Sequence, residues 1–502
     1  MQIYTHYNHS VMLRKIRIAL ATIFFTGTTL LFLDFTGSVH QWLGWMAKIQ
    51  FMPALLATNF AIVATLVLLT LLFGRVYCSV ICPLGVMQDI FGYLGRKSRR
   101  HRYSYSPAKS ILRYTVLVLF IAAIVAGIGS AVALLAPYSA YGRIAQNLLS
   151  PLWILGNNAL AYFAERADSY AFYSVDLWMR SGVTLGIAIA TFAIIGILAW
   201  RGGRTYCNTI CPVGTVLGFF ARFSLLKPVI DTSKCNSCGL CERNCKAACI
   251  DSKSHKVDYS RCVSCMNCLE NCTNGAISYG LAKRVNKETQ GEESVSRRSF
   301  LTTATLFAAG SMAHAEEKKI KGGLAIIEDK KVPERSTRIV PAGAKSLRNM
   351  TAHCTACQLC VSVCPNDVLR PSSNLATLMQ PEMSYERGYC RPECTKCSEV
   401  CPTGAIKLIT KEEKSATQIG HAVVIRENCV TLTDKVSCGN CERHCPAGAV
   451  TMVPSDANDK SSPKVPVVNV ERCIGCGACE HLCPARPLSA IYVEGHVTHR
   501  RI

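Results

Sequence analysis

The stretch CNSCGLCERNC, residues 235–245, sets four cysteines at C-x2-C-x2-C-x3-C, and CVSCMNCLENC, residues 262–272, repeats that spacing. Three thiolates so close together wrap one corner of a four-iron cubane, while the fourth points away towards a neighbouring cluster. The spacing predicts one 4Fe–4S centre on Cys235, Cys238, Cys241 and Cys272, and a second on Cys262, Cys265, Cys268 and Cys245. Zinc sites show two separated C-x-x-C pairs instead. Lys246 and Thr273 stand where proline usually follows the fourth cysteine, and Cys249, outside any group, reads as a buried thiol.

A second cysteine block lies further along the 502-residue chain. Its runs are Cys354, Cys357, Cys360 and Cys364; Cys390, Cys394, Cys397 and Cys401; Cys429, Cys438, Cys441 and Cys445; and Cys473, Cys476, Cys479 and Cys483. All four end in C-P, at Pro365, Pro402, Pro446 and Pro484, as ferredoxin runs do. Four more cubanes follow, six in all. The C-x3-C-x2-C at residues 390–397 alone would suggest radical S-adenosylmethionine chemistry, but Cys401-Pro402 and three sister runs favour the ferredoxin reading. The gap from Cys429 to Cys438 predicts a local insertion loop. Units this small bury too little apolar surface alone, so metal binding supplies part of the folding energy. HKVDYS (255–260), AVVIREN (422–428) and PVVNVERC (466–473) read as strands feeding the runs, and GAI or GAV after several runs as the return to strand.

Nearly all of the 29 cysteines fall after Trp200, and nearly all long apolar runs fall before it. A secreted disulfide scaffold is short and lacks membrane spans, so it does not fit. A bilayer-spanning helix needs about 20 mostly apolar residues. Residues 16–35, 54–73, 111–136 and 182–200 qualify, predicting four transmembrane helices. Residues 144–163, interrupted by Asn147, Pro151, Asn157 and Asn158, read as an interfacial or partly buried outer loop. Basic residues stay on the cytoplasmic side of short loops. Arg14, Lys15 and Arg17 precede the first span, and residues 96–109 carry six more cations, whereas residues 137–181 carry three beside Glu165, Asp168 and Asp176. The N-terminus is therefore expected inside.

The spans carry an internal repeat. GRVYCSVICPLG (74–85) and GRTYCNTICPVG (203–214) share G-R-x-Y-C-x-x-I-C-P-x-G, presenting Cys78 and Cys82 in one half and Cys207 and Cys211 in the other. These four could converge on another metal centre, act as dithiol redox pairs, or mark structural elbows at Pro83 and Pro212. No span contains histidine and no C-x-x-C-H occurs, which argues against b- and c-type haem. No acid–base chain crosses the spans, so proton pumping has no visible path. An electron donor in the membrane would be a quinol bound near a surface.

SRRSFLT, residues 296–302, matches a twin-arginine export signal, with a mildly apolar stretch to residue 313 and AHA at 313–315 as a cleavage-like site. It is expected either to be cut or to anchor. The net charge of +22 fits loops facing an anionic leaflet; with no nucleic-acid motif, nucleic-acid binding is set aside.

Together these features resemble a NapH-type membrane ferredoxin (about residues 1–280) fused to a NapG/MauM-type periplasmic ferredoxin from about residue 296. The resulting expectation is an α-helical membrane domain with four transmembrane helices and an internal repeat, plus α+β ferredoxin-like domains. The divisions are residues 1–227, 228–282, a linker 283–345 containing the signal at 296–315, and 346–502. The resemblance implies a bacterial inner-membrane electron-transfer protein rather than a self-contained enzyme. It would pass electrons from the quinone pool to a periplasmic reductase, of nitrate reductase type, or to that enzyme's cytochrome or iron–sulfur subunit. In related four-run subunits the outer runs pair and the inner runs pair. That analogy groups Cys354, Cys357 and Cys360 with Cys483, Cys390, Cys394 and Cys397 with Cys445, Cys473, Cys476 and Cys479 with Cys364, and Cys429, Cys438 and Cys441 with Cys401. The rival readings are an assembly factor and a redox sensor.

Overall fold

The computed structural model describes residues 2–99, 103–169, 171–281, 321–322, 325–326 and 330–502. The twin-arginine-like segment at 296–315 lies outside the described residues.

The helical part comprises α1 (Gln2–Leu33), α2 (Phe60–Phe73), α3 (Pro83–Arg99), α4 (Ser110–Val125), α5 (Gly129–Leu135), α6 (Pro137–Ile144), α7 (Ser150–Arg166), α8 (Gly182–Gly202) and α9 (Pro212–Ala221). Two stretches, Val11–Leu33 in α1 and Gly182–Gly202, are long and apolar enough to cross a membrane. The other two expected spans are shorter. The segment at 54–73 breaks at Thr58–Asn59, where Thr58 adopts φ 55° and the Asn59 side chain caps α2, leaving 14 residues. The segment at 111–136 breaks at Gly127, φ 74°, leaving 16 residues in α4. The exposed faces of α4 and α8 are apolar, with Ile111, Val118, Leu119 and Val125 on one and Ile189, Ile194 and Ile197 on the other. Burying such a surface requires lipid or a partner.

Residues 137–181 differ from the expected outer loop. Every residue of α6 is buried, and a π-turn at Ala145–Leu149 joins it to α7. The reason is residue size: Ser139, Ala140, Gly142 and Ala145 let the helix approach its neighbours so closely that a methyl on Gly142 would overlap Phe32 and the Cys357 carbonyl.

The first ferredoxin-like unit is closed by its two ends. β1 (Leu226–Ile230) pairs antiparallel with β4 (Ile277–Leu281), in the register Leu226↔Leu281 and Ile230↔Ile277, around the small hairpin β2 (Ile250–Asp251) and β3 (Lys256–Val257). The second block contains two such units in series. In one, β5 (Leu369–Pro371) pairs with β6 (Pro381–Met383), and Lys407 donates its amide to the Gly343 carbonyl across the unit's ends. In the other, β7 (Thr417–Val424) pairs with β10 (Ile491–Arg501) around the hairpin β8 (Val450–Pro454) and β9 (Lys464–Val468). The strands expected before the runs are present, as are those after GAI at 275–277 and GAV at 448–450, but no strand follows GAI at 404–406.

The two blocks sit at opposite ends of the helical domain. At the start of the apolar stretch Val11–Leu33 of α1, Arg14 pairs with Glu270 of the first block. Near the end of that stretch, Phe32 packs on Tyr138 of α6, and α6 carries the second block through Ser139, whose hydroxyl donates to the Thr355 carbonyl. Asn147 donates to Gln358 at 3.1 Å, and the Trp178 ring lies under the Arg370 and Arg387 guanidiniums.

Candidate metal centres

In the first block the predicted grouping is found. Cys241 lies among Cys235, Cys238 and Cys272, and Cys268 among Cys262, Cys265 and Cys245. Cys249 is buried as expected, but it lies against a ligand set: its sulfur is 3.5 Å from that of Cys245 and also meets Cys262. Sister runs place Ala276, Ala405 and Ala449 at this position, four residues after the final cysteine.

The second block corrects the run pairing. One cavity is lined by Cys364 together with Cys390, Cys394 and Cys397, and another by Cys445 together with Cys473, Cys476 and Cys479. Cys401 faces Cys354, Cys357 and Cys360. Cys483 faces Cys441, beside Cys438. Consecutive runs therefore exchange their fourth cysteines, rather than outer with outer and inner with inner. The cause is chain closure: each consecutive pair lies inside a unit whose own ends are joined, so each fourth cysteine reaches its neighbour locally.

These cages suit polynuclear clusters. Four thiols converge around Cys241, Cys268, Cys360, Cys397 and Cys479, and among the described residues no three His, Cys, Asp or Glu side chains stand close enough to hold a single metal ion. In the runs starting at Cys235, Cys262, Cys354 and Cys473, the residues flanking the second cysteine adopt left-handed backbone: Ser237 and Gly239, Ser264 and Met266, Ala356 and Gln358, Gly475 and Gly477. Such turns gather backbone N–H groups into a concavity suited to an anionic cluster. Amides of Ala356, Ile406, Ala449 and Ala490 donate to the sulfurs of Cys354, Cys401, Cys445 and Cys483 at 3.2–3.4 Å. Burial pushes the Cys357 thiol up to about 11 and Cys476 up to about 12. Those two thiols are thus protonated at neutral pH and must release their protons when metal loads, whereas Cys245, to which Cys249 donates, is lowered to about 7.

The cages also touch in sequence. Cys268 neighbours Cys241 in the first block, and Cys360 neighbours Cys397 in the second. The Cys390 amide donates to the Cys476 carbonyl at 2.9 Å, joining the two units of the second block beside Tyr385, whose hydroxyl donates to Gly475 at 2.7 Å.

The two halves of the membrane repeat meet. Cys78, Cys82, Cys207 and Cys211 are all buried and face one another. Each half reaches into the other. Arg75 donates to the Cys207 carbonyl at 3.2 Å, and Arg204 to the Cys78 carbonyl at 2.6 Å. Gly214 and Gly85 leave room for those guanidiniums, and a methyl on either would overlap them. The motif prolines begin α3 and α9, where their missing N–H costs nothing. Gln88 donates to the Cys207 sulfur at 3.3 Å, and Asp89 receives Arg17, Arg204 and Lys246. The sequence reading named the four cysteines but not these partners; the shared arginine and final glycine of the repeat were the available signal.

Comparison with known proteins agrees with this picture. A family described as a 4Fe-4S binding domain matches residues 55–101 and 184–230, and 4Fe-4S dicluster domains match 258–368 and 436–486. The methylamine utilization ferredoxin-type protein MauM of Methylophilus methylotrophus is 31% identical over 159 residues, 30% of this chain and 69% of that protein. The chain belongs to the polyferredoxin family of the NapH, MauN and MauM ferredoxin-type proteins. Within that family, the ferredoxin-type protein NapH of Escherichia coli is 25% identical over 195 residues, 39% of this chain and 55% of NapH. MauN of Paracoccus denitrificans is 24% identical over 173 residues, 34% of this chain and 48% of MauN. The chain spans about a quarter to just over half the length of the first curated relatives it matches. No solved structure matches. An iron–sulfur electron-transfer role follows from the family, and the two apolar helices with NapH-like relatives point to a membrane protein.

Proposed function

We propose that this polyferredoxin carries electrons from membrane quinol across the inner membrane to a periplasmic redox enzyme, a reductase of nitrate reductase type. The observation that carries the reading is the placement of the two cysteine blocks at opposite ends of the helical domain, each in direct contact with it. On this reading the helical domain spans the bilayer as four helices, the twin-arginine-like segment exports the second block, and six cubanes load. Bound clusters supply one-electron redox chemistry at each cage. The residues around them set spacing, burial and hydrogen bonding, and no substrate chemistry is required of the chain.

A cavity of about 340 Å³ supports a quinol site. Its lining includes Ile18, Phe25 and Tyr93 together with Arg14, Arg96 and Lys246, the last paired with Asp89. Half-apolar cavities of this size suit a ring with an isoprenoid tail. Lys246 directly follows Cys245, so a ring held there lies beside the first block's second cage.

The test is reduction of the anaerobically purified protein by a short-chain quinol, read as bleaching of the iron–sulfur absorption. Bleaching supports the reading. A full iron and sulfide content without bleaching overturns it.

A further inference from the structure

We propose that Cys78, Cys82, Cys207 and Cys211 together hold one further iron–sulfur centre, shared by the two halves of the repeat and joining the two ferredoxin blocks. This rests on the electron-transfer reading above. Each matched segment, 55–101 and 184–230, contains only two cysteines. A ferredoxin-type cluster takes four thiolates, so neither half suffices, and the structure brings the halves together.

The surroundings call for negative charge. Arg75 is wholly buried and, among the described residues, pairs with no carboxylate; its partners are Asn208, the Ser260 and Cys207 carbonyls and the Cys78 sulfur. Arg204, Arg17 and Lys246 share the single carboxylate of Asp89. Buried cations lacking an anion are costly. Neutral thiols or disulfides would leave this charge uncompensated, whereas four thiolates around iron and sulfide carry net negative charge.

The site also lies on the route between the blocks. Asn208, next to Cys207, donates to the carbonyl of Ala247, two residues after Cys245, at 3.2 Å. Arg75 donates to Ser260, two residues before Cys262. On the other side the Tyr206 hydroxyl donates to the Leu135 carbonyl at 3.0 Å, and Ser139 reaches Thr355, between Cys354 and Cys357. In each transfer along this route one centre loses one electron and its neighbour gains it. No bond is made or broken, and no proton moves.

The test compares the anaerobically purified full chain with its Cys82→Ser/Cys211→Ser variant by iron and sulfide analysis and electron paramagnetic resonance. The variant is expected to lose about four iron atoms, or about two for a two-iron centre, with the other cluster signals unchanged. Unchanged iron overturns the proposal. Should the double variant not fold, Gln88→Leu removes one donor to the Cys207 sulfur. It is expected to keep full iron and lower one midpoint potential, and a titration identical to wild type overturns the proposal. Failure of the quinol reading would appear differently, as wild-type protein with full iron that quinol does not bleach.

Discussion

Arg75 and Cys207 belong to opposite halves of the membrane repeat, yet the arginine donates to the cysteine's carbonyl at 3.2 Å, and Arg204 repeats the gesture towards Cys78. The two halves are thereby locked through their motif arginines. Arg75→Met leaves the acceptors on Asn208, Ser260 and Cys207 unpaired. A loss of roughly 3 kcal/mol is expected, measured by thermal denaturation in detergent. Arg75→Lys keeps the charge without the planar fork and should recover part of it.

Gly85 and Gly214 have no room for a side chain, because the Cys78 and Cys207 carbonyls and the guanidiniums that donate to them fill it. Gly85→Ala or Gly214→Ala should destabilise by about 1–3 kcal/mol. Gly156→Ala, in a helix with nothing near its added methyl, should be neutral or stabilising. Detergent-resistant folded yield across the three variants measures the difference.

Cys364 lies with Cys390, Cys394 and Cys397. Cys364→Ser is therefore expected to perturb the same paramagnetic signal as Cys390→Ser, and a different one from Cys473→Ser. A shared signal between Cys364→Ser and Cys473→Ser would restore the outer-run pairing.

Replacing Cys249 with alanine restores the residue found after sister runs. Iron content should be unchanged, since Cys245, Cys262, Cys265 and Cys268 already complete the cage. One midpoint potential should move, because the sulfur lies 3.5 Å from a ligand. Loss of about four iron atoms would instead make Cys249 a ligand.

On the strand β10, burial lowers His499 from 6.5 to about 4, and His496, facing His421 at 2.9 Å, is also lowered. The unfolded chain takes up these protons first, so the unit's stability is full above about pH 6.5 and falls as pH drops towards 4. Denaturant midpoints of the second block between pH 7.5 and 5 should decline. His499→Gln should flatten that decline.

The cluster runs were legible because the ligand spacing is local: Cys235 to Cys245 and Cys262 to Cys272 specify their cages almost unaided. Pairing between runs depends on which strand ends join, as at Lys407–Gly343 and β7–β10, and spacing carries no trace of it. The spans at 54–73 and 111–136 satisfied a composition count, but Asn59 capping and the left-handed Gly127 cut the helices short. Residues 144–163 read as interfacial or partly buried, and α7 buries only Ser150 and Ala161; what polarity did not reveal is the burial of α6 upstream, around Gly142.

Solvent access differs between the two cages of the first block, with Cys238 exposed in one while Cys265 and Cys268 in the other are buried. Oxygen and peroxide attack accessible sulfur and iron first. Aerobic handling should therefore cost the first block its Cys238 cofactor before the one held by Cys265 and Cys268, and preparations differing in air exposure will differ in that order of loss.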